Sequence, residues 1–312
     1  MKISVIIPIY KVEAYIERCA RSLMEQTMTD VEYVFVDDAS PDKSIEVLQG
    51  VIDQYPKADV IILHHEVNKG LPAARNTGLT VASGDYIFHC DSDDYLEPDA
   101  LEKMYEAACK NEADIVYSDW YLTFEKKERY MKQPAYDTVE DALRGLLHGT
   151  MKYNVWNKLV RRELYDDTPF PAGHGMGEDM TMILLFAKAL RIAYLPKGTY
   201  HYVRQNANAF TAARSEESYR DLLFNANRVI DALTGIVPDE DMACFKLNVK
   251  FPFLISNSRE DYDRWRQWFP EANSYIPDHQ VSGRARLLER CASLHLFLPV
   301  RLHYYLLQHL QG

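Results

Sequence analysis

The sequence lacks several features that would define a class of protein at once. Its five cysteines are odd in number, widely scattered and without a CxxC pair, which argues against a disulfide framework and a thiolate metal site. No stretch approaches the ~20 uninterrupted apolar residues that a membrane-spanning helix requires. The first apolar run is broken by Pro8 and is too short for a secretory signal. We therefore expect a protein of the reducing cytoplasm.

Positive charge is also scarce in this chain. With 35 Lys and Arg against 46 Asp and Glu, the net charge is -11, so we expect no nucleic-acid partner. Two common phosphate-binding motifs are missing, because no GxGxxG follows the first apolar run and no GxxxxGK[ST] occurs anywhere. An acidic chain of this kind needs another means of holding an anionic ligand.

What the sequence does contain is an alternation of short apolar runs and helical segments over the first 120 residues. Runs rich in β-branched and aromatic residues at 3–7, 31–36, 60–63 and 86–90 predict parallel strands buried on both faces. The segments between them place apolar residues at helical spacing. The alternation predicts an α/β fold with a mostly parallel, Rossmann-like sheet and helices on both faces. Such a sheet binds its ligand beyond the carboxyl ends of the strands.

Polar side chains follow three of these four predicted strands. Asp37 and Asp38 follow the second strand, residues 68–70 lie in the loop after the third, and Asp91 and Asp93 follow the fourth. Because side chains alternate along an extended chain, Asp91 and Asp93 can point the same way. Two carboxylates suit Mg²⁺ or Mn²⁺, which would bridge an acidic pocket to an anionic diphosphate. Each cluster taken alone is equally typical of a turn or a helix cap.

A set of longer motifs carries a resemblance to a known family. They are SVIIPIYKVEAYIERCARSLMEQT, VEYVFVDDASPDKS, NKGLPAARNTGL, GDYIFHCDSDDYLEPDAL, WNKLVRRELY, GEDM and YHYVRQ. In order and spacing they resemble the family-2 glycosyltransferases of the GT-A fold over about residues 1–210. The resemblance implies an inverting, Mn²⁺- or Mg²⁺-dependent transfer of a sugar from a nucleoside diphosphate sugar, most commonly a UDP-sugar. The acceptor would be a hydroxyl on a growing glycan or a lipid-linked saccharide in cell-surface polysaccharide synthesis.

The resemblance also assigns residues to the donor site. Pro8 and Tyr10 would line the nucleotide base, Asp38 would hydrogen-bond it, and Asp37 would support that loop. The matching segment between the base site and the fourth strand contributes Asn68, Gly70 and Arg75, the last of which could mainly brace the loop.

The metal and the catalytic base are implied in the same way. Asp93 would be the metal ligand of a DxD motif, with Asp91 near the ribose and also within reach of the metal, and Ser92 between them. Asp179 would be the base that removes the acceptor proton, with Glu178 as runner-up. A carboxylate in a first helical turn is also an ordinary partner of the helix dipole, so that interpretation stays open.

Three further positions match weaker parts of the pattern. Trp156 would help to shape the acceptor and sugar pocket. His201 and Arg204 could contact the diphosphate, although a histidine between two tyrosines is most simply a packed strand residue. Thr211 stands near the place of a hydroxyl residue usual in the family.

The sequence predicts a GT-A domain over residues 1–212, with a nucleotide-binding half to residue 120 and an acceptor half after it. Residues 213–312 are predicted to be mainly helical. Their terminal segment mixes arginines with leucines and aromatics, which allows peripheral contact with the inner face of a membrane, a homodimer contact, or a helical pair covering its own domain. Pro299 is expected to interrupt any continuous helix there.

Two other classes of protein stay open at this point. A metal-dependent phosphohydrolase also uses paired aspartates, but it places its nucleophile after the first strand, where this chain has Pro8 and Tyr10. The second alternative is a non-catalytic nucleotide- or carbohydrate-binding protein.

Overall fold

The computed structural model describes residues 2–204 and 215–310, with the side chains of that last range up to residue 306. The chain divides into two compact units, Met1–Ala142 with Lys152–Asn225, and Leu143–Met151 with Ala226–Gly312. The domain boundary given by the sequence stays a prediction.

The first unit is built on a mixed sheet, which has nine strands in the described residues. They are β1 (Ile3–Ile9), β2 (Val31–Asp37), β3 (Asp59–His64), β4 (Tyr86–His89), β5 (Tyr95–Leu96), β6 (Ile115–Thr123), β7 (Glu128–Met131), β8 (Lys158–Arg161) and β9 (Ile192–Val203). Their order is β3-β2-β1-β4-β8-β6-β9-β5, with β7 paired to β6. The pairings make β8, β5 and β7 antiparallel to the other six strands. The predicted α/β fold with a mostly parallel sheet is confirmed.

Helices occupy most of the chain between and after the strands. They are α1 (Ile16–Met24), α2 (Ser44–Ile52), α3 (Leu71–Val81), α4 (Ala100–Asn111), α5 (Val139–Leu147), α6 (Thr181–Lys188), α7 (Glu216–Leu233), α8 (Asp239–Lys250), α9 (Arg259–Gln267), α10 (Gly283–Ser293) and α11 (Phe297–Leu310). Over the residues that the structure describes, no helix combines the length and the apolar character needed to cross a membrane. The helical character predicted for the last third is confirmed.

The parallel strands β3, β2, β1 and β4 form the half of the sheet that the sequence predicted most directly. Every residue of β1, β2 and β4 is buried, as the apolar runs indicated. The expectation of burial on both faces is wrong for β3, whose residues are part-exposed or exposed. The reason is its position, because β3 lies at the edge of the sheet and, among the described strands, pairs with β2 alone.

Gly84 marks a place where the turn before β4 touches β1. Its amide donates to Ser4 Oγ at 2.8 Å and lies 3.1 Å from Glu32 Oε1. A Cβ at residue 84 would lie only 2.5 Å from the backbone nitrogen of Ser4. Only glycine therefore allows this approach of two backbone segments.

Replacing Gly84 with alanine is expected to destabilise the protein by about 1–3 kcal/mol, because the backbone at Ser4 must shift to admit the methyl group. The matched control is Gly50→Ala within α2, where nothing lies within 4 Å of the added Cβ. That change should stabilise by roughly 0.5–1 kcal/mol, since alanine is the better helix former. Urea denaturation of the full chain measures both, and equal midpoints for Gly84→Ala and wild type would contradict the contact.

The second unit contains a buried cation held by oxygen atoms. Lys250 Nζ lies 4.4 Å from the ring centroid of the fully buried Trp265. It donates to the carbonyls of Trp268 and Phe269 at 3.0 and 3.1 Å and to Asn273 Oδ1 at 2.6 Å. Burial lowers the pKa of Lys250 to about 8. Its three acceptors make this lysine a structural anchor of the helical unit.

The expectation that Pro299 interrupts the terminal helical segment is wrong. Pro299 lies in the first turn of α11, where a missing amide proton costs nothing. The break lies earlier, between α10 and α11, where His295 has a positive φ of 63°.

Candidate functional site

Three of the segments predicted to bind the donor meet at one edge of the sheet, because β1 pairs in parallel with both β2 and β4. Pro8 is buried within β1, whereas Tyr10 follows the strand and is 41% exposed. Lys11 Nζ lies 5.0 Å from the ring centroid of Tyr10. Asp37 ends β2, and its Oδ1 accepts from the amide of Ser40 at 2.8 Å. The convergence predicted from the strand ends is thus present in the structure.

Asp38 holds the loop that leads into α3. Its carboxylate accepts from the amides of Lys69 and Gly70, both at 2.8 Å, and Asn68 Nδ2 donates to its carbonyl at 3.3 Å. Gly70 adopts a φ of 85° before the first residue of α3, a conformation that favours glycine. Asp38 therefore braces the loop directly, and its contact with a nucleotide base stays a prediction.

His65 belongs to the same arrangement and was missed by the sequence analysis. Its Nδ1 lies 2.6 Å from Asp38 Oδ1, and its Nε2 lies 2.8 Å from Thr77 Oγ1 on α3. The imidazole is buried, so it ties the carboxylate to the helix. The one signal in the sequence was its position directly after β3, at the same sheet edge as the predicted residues.

The segment after β4 divides its side chains between two environments. Asp91 and Asp93 are part-exposed, whereas Ser92 and Asp94 are buried. Asp94 accepts from the hydroxyl of Tyr200 at 2.8 Å, and that hydroxyl accepts from the amide of Asp91 at 3.0 Å. Burial and the charges of Asp93 and Asp91 raise the pKa of Asp94 well above its usual range. Asp94 thus supports the turn from β9, and the two aspartates predicted to face the crevice are the accessible ones.

Arg75 links the donor side of the site to the predicted base. Its side chain is 2% exposed, with Nη2 3.0 Å from Asp91 Oδ1 and 3.4 Å from Glu178 Oε1. The guanidinium also lies 5.4 Å from the ring centroid of Phe170, whose backbone forms two 2.9 Å hydrogen bonds with Asn76. Burial lowers the pKa of Arg75, but the neighbouring carboxylates outweigh burial and raise it overall. Arg75 is therefore a permanent cation between two acidic segments.

Asp179 lies in a 3₁₀ turn, Glu178–Met180, that runs directly into α6. Burial raises the pKa of Asp179 to about 6, against the opposing charges of Arg75 and Lys158. Lys158 Nζ donates to two backbone carbonyls and to an amide oxygen at 2.7–2.9 Å, and burial lowers its pKa to about 7. A carboxylate with this pKa is poised to accept a proton near neutral pH.

The weaker positions of the sequence analysis fall on or beside β9. The Trp156 ring stacks on that of Tyr200 at a centroid distance of 4.6 Å. His201, the next residue in β9, points to the opposite face, where it lies 2.7 Å from Glu97 Oε1 and 2.9 Å from Glu128 Oε1. These are the contacts of a packed strand residue, and a ligand contact of His201 stays a prediction.

Two more of these positions lie near or beyond the end of β9. The amide of Arg204 donates to the carbonyl of Thr123 at 2.9 Å, and its contact with a diphosphate stays a prediction. Thr211 lies outside the described residues.

The oxygen donors at this edge fit a divalent cation that is shared with a ligand. No group of three or more His, Cys, Asp or Glu side chains in the described part of the chain forms a closed metal site. Mg²⁺ and Mn²⁺ need only one or two carboxylates when phosphate oxygens and water complete their coordination. Burial and the charge of Asp93 raise the pKa of Asp91 despite Arg75, and a cation beside the two carboxylates would favour their ionised forms.

A solved structure shares the fold of this chain. Staphylococcus aureus TarS, residues 1–349, in complex with UDP-GlcNAc, superposes with a TM-score of 0.75 at 22% sequence identity. The match covers 98% of this chain and 92% of that one. The chain therefore has a GT-A-type fold, with helices in its C-terminal region.

The sequence comparisons give the particular family. The model described as glycosyl transferase family 2 matches residues 4–183. The putative glycosyltransferase EpsH of Bacillus subtilis is 31% identical over 92% of this chain and 80% of its own length. The uncharacterized glycosyltransferase EpsJ of the same organism is 34% identical over 67% of this chain, but only 62% of EpsJ is covered. The chain belongs to glycosyl transferase family 2 and is a glycosyltransferase.

Proposed function

We propose that this protein transfers a sugar, with inversion, from a nucleoside diphosphate sugar to an acceptor hydroxyl. The observation that carries the proposal is the buried Arg75, which joins Asp91 at the donor side to the turn that holds Asp179. A donor bound at the ends of β1, β2 and β4 would then have a carboxylate of raised pKa within the same site. A binding protein requires no such base.

The donor site consists of the exposed Tyr10 ring, the loop held by Asp38, and the Asp91–Asp93 pair. Asp93, helped by Asp91, would hold Mn²⁺ or Mg²⁺. When bound, the cation neutralises the charge that develops on the departing diphosphate. Lys11 Nζ lies 5.0 Å from the ring centroid of Tyr10, and its positive charge would favour a diphosphate bound at this edge. TarS, which shares the fold, was solved with UDP-GlcNAc, so a UDP-sugar is the first donor to test.

Asp179 would remove the proton of the acceptor hydroxyl as that oxygen attacks the anomeric carbon. Attack from the face opposite the diphosphate inverts the configuration, and the proton passes to the carboxylate. We propose a glycan or lipid-linked saccharide of cell-surface polysaccharide synthesis as the acceptor, because an extended acceptor needs an open site. Asp179 is part-exposed, as a base that meets such an acceptor must be.

The phosphohydrolase alternative lacks support at the first strand. β1 ends at Ile9 and is followed by Tyr10 and Lys11, so no carboxylate stands where such an enzyme places its nucleophile. Incubation of the purified protein with UDP-sugars, Mn²⁺ and extracted lipid-linked saccharides separates the classes. We expect UDP release matched by sugar incorporated into the acceptor. Free phosphate would indicate a hydrolase, and binding without turnover in any combination would leave only a binding protein.

Asp93→Ala is expected to abolish the contribution of metal to nucleotide binding, because it removes the first of the two proposed metal ligands. Calorimetry of UDP with Mn²⁺ should show an affinity loss of roughly 10-fold or more, about 1.4 kcal/mol or above. Without metal, the variant and wild type should bind alike. The control is Asp85→Ala, an exposed aspartate before the other end of β4. Equal Mn²⁺ dependence in wild type and Asp93→Ala would contradict the assignment.

A further inference from the structure

The helices α10 and α11 expose an unusual amount of apolar surface. Fourteen large hydrophobic side chains are exposed among the described residues, and seven of them fall within residues 287–306. We call the surface formed by these seven and by the three exposed arginines of the same segment the C-terminal face. Its members are Leu287, Leu294, Leu296, Leu298, Leu302, Tyr305, Leu306, Arg284, Arg290 and Arg301.

The apolar residues of this face are not needed to pack the helices. The inward side of α11 is formed by Val300, which is fully buried, and by Phe297, whose ring stacks on Tyr262 at 5.0 Å. Leu298 and Leu302 lie one turn apart on the other side and are 79% and 57% exposed. An apolar stripe that faces away from the core is typical of a surface that binds an apolar partner.

The exposed charge on this face has a single sign. The only acidic residue between 283 and 306 is Glu289, which is fully buried and 2.9 Å from His279 Nδ1. Arg284 contacts His303, and Arg301 donates to Asn257 Oδ1 at 3.0 Å. Within residues 2–204 and 215–306 none of the three arginines of the face is paired with a carboxylate. A cationic strip on a chain of net charge -11 is a local feature that an anionic partner would match.

We propose that the C-terminal face binds an anionic lipid surface. Leucines of an interfacial helix enter the boundary between headgroups and acyl chains, while arginines beside them remain with anionic headgroups. A second copy of this chain fits less well, since a two-fold contact would bring the same arginines together from both subunits. The proposal concerns a surface of the helical unit and does not depend on the sugar that is transferred.

Vesicle co-sedimentation of the full chain tests the proposal. The probes are vesicles of phosphatidylcholine alone and of phosphatidylcholine mixed with phosphatidylglycerol. We expect binding to the mixed vesicles only, with a decrease at higher salt because exposed charges are screened. Binding to neither vesicle, or equal binding to both, would overturn the proposal.

Two double variants and a control separate the contributions of the leucines and of the arginines to vesicle binding. Leu298→Ser with Leu302→Ser should lower binding to mixed vesicles by roughly 10-fold or more, and Arg290→Gln with Arg301→Gln should lower it several-fold. Leu190→Ser, which changes a leucine that is 85% exposed in the first unit, should bind like wild type. Nucleotide binding should survive in all three variants, which keeps a failure here distinct from a failure of the proposed transfer. A dimer that the leucine variant dissociates, without vesicle binding by wild type, would assign the face to a second copy instead.

Discussion

Asp179→Asn is expected to lower kcat for sugar transfer by on the order of 10²–10⁴, the usual contribution of a general base. The amide has nearly the shape of the carboxylate but cannot take the acceptor proton. Asp179 is part-exposed and does not hold the donor segments together, so the affinity for UDP with Mn²⁺ should stay close to that of wild type. Single-turnover kinetics and calorimetry on the same preparation measure both effects.

The pH dependence of kcat gives a second test of Asp179. Burial raises its pKa to about 6, so the base is protonated and inactive at lower pH and ionised at higher pH. The rate of wild type should therefore rise with pH through about 6 and then level off. Glu178→Gln, the control at the neighbouring carboxylate, should keep this rise. If Asp179→Asn retained wild-type turnover while Glu178→Gln lost it, the base would be Glu178.

The sequence was most informative about the buried strands and the polar residues that follow them. The apolar runs of β1, β2 and β4 are buried on both faces, and this periodic pattern can be recognised without tertiary information. The accessible Asp91 and Asp93 also follow a strand as the sequence indicated, but they lie at a turn, in which the amide of Asp94 donates to the carbonyl of Asp91 at 3.1 Å, and not on an extended chain. The partial exposure of β3 could not be predicted, because nothing in the sequence of a single strand indicates whether another strand pairs beside it.

Contacts between distant segments were the part that the sequence could not supply. Asp38 appeared as a polar residue after a strand, but the amides it accepts from lie 31 and 32 residues away. His65 joins that carboxylate to α3 through two bonds that no local pattern specifies. Arg75 was predicted only as a member of a matched segment. Its role as the link to Glu178 depends on packing between residues more than 100 positions apart.

Arg75→Met is expected to destabilise the protein by about 3–5 kcal/mol, because it removes the cation from a buried ion pair and leaves its carboxylates uncompensated. The methionine has a similar length and still fits against Phe170, so lost packing contributes little. Arg75 opposes the upward shifts in the pKa of both Asp91 and Asp179, and its removal should raise both values further. Urea denaturation at several pH values measures the loss of stability.

The sign of the pH effect distinguishes lost charge from lost shape. A carboxylate whose pKa is raised in the folded state takes up a proton more readily when folded. Its ionised form therefore lowers the stability of the fold at high pH, and this cost decreases as pH falls. The loss of stability in Arg75→Met should therefore be largest above neutral pH and decrease toward pH 5. The rise of kcat with pH should move above 6, since Asp179 loses a neighbour that favours its ionised form. Arg75→Lys, which keeps a charge in place, should show smaller changes of the same kind. If the loss of stability did not depend on pH and the pH profile of kcat did not move, Arg75 would be a packing residue. It would then have no electrostatic effect on Asp91 or Asp179.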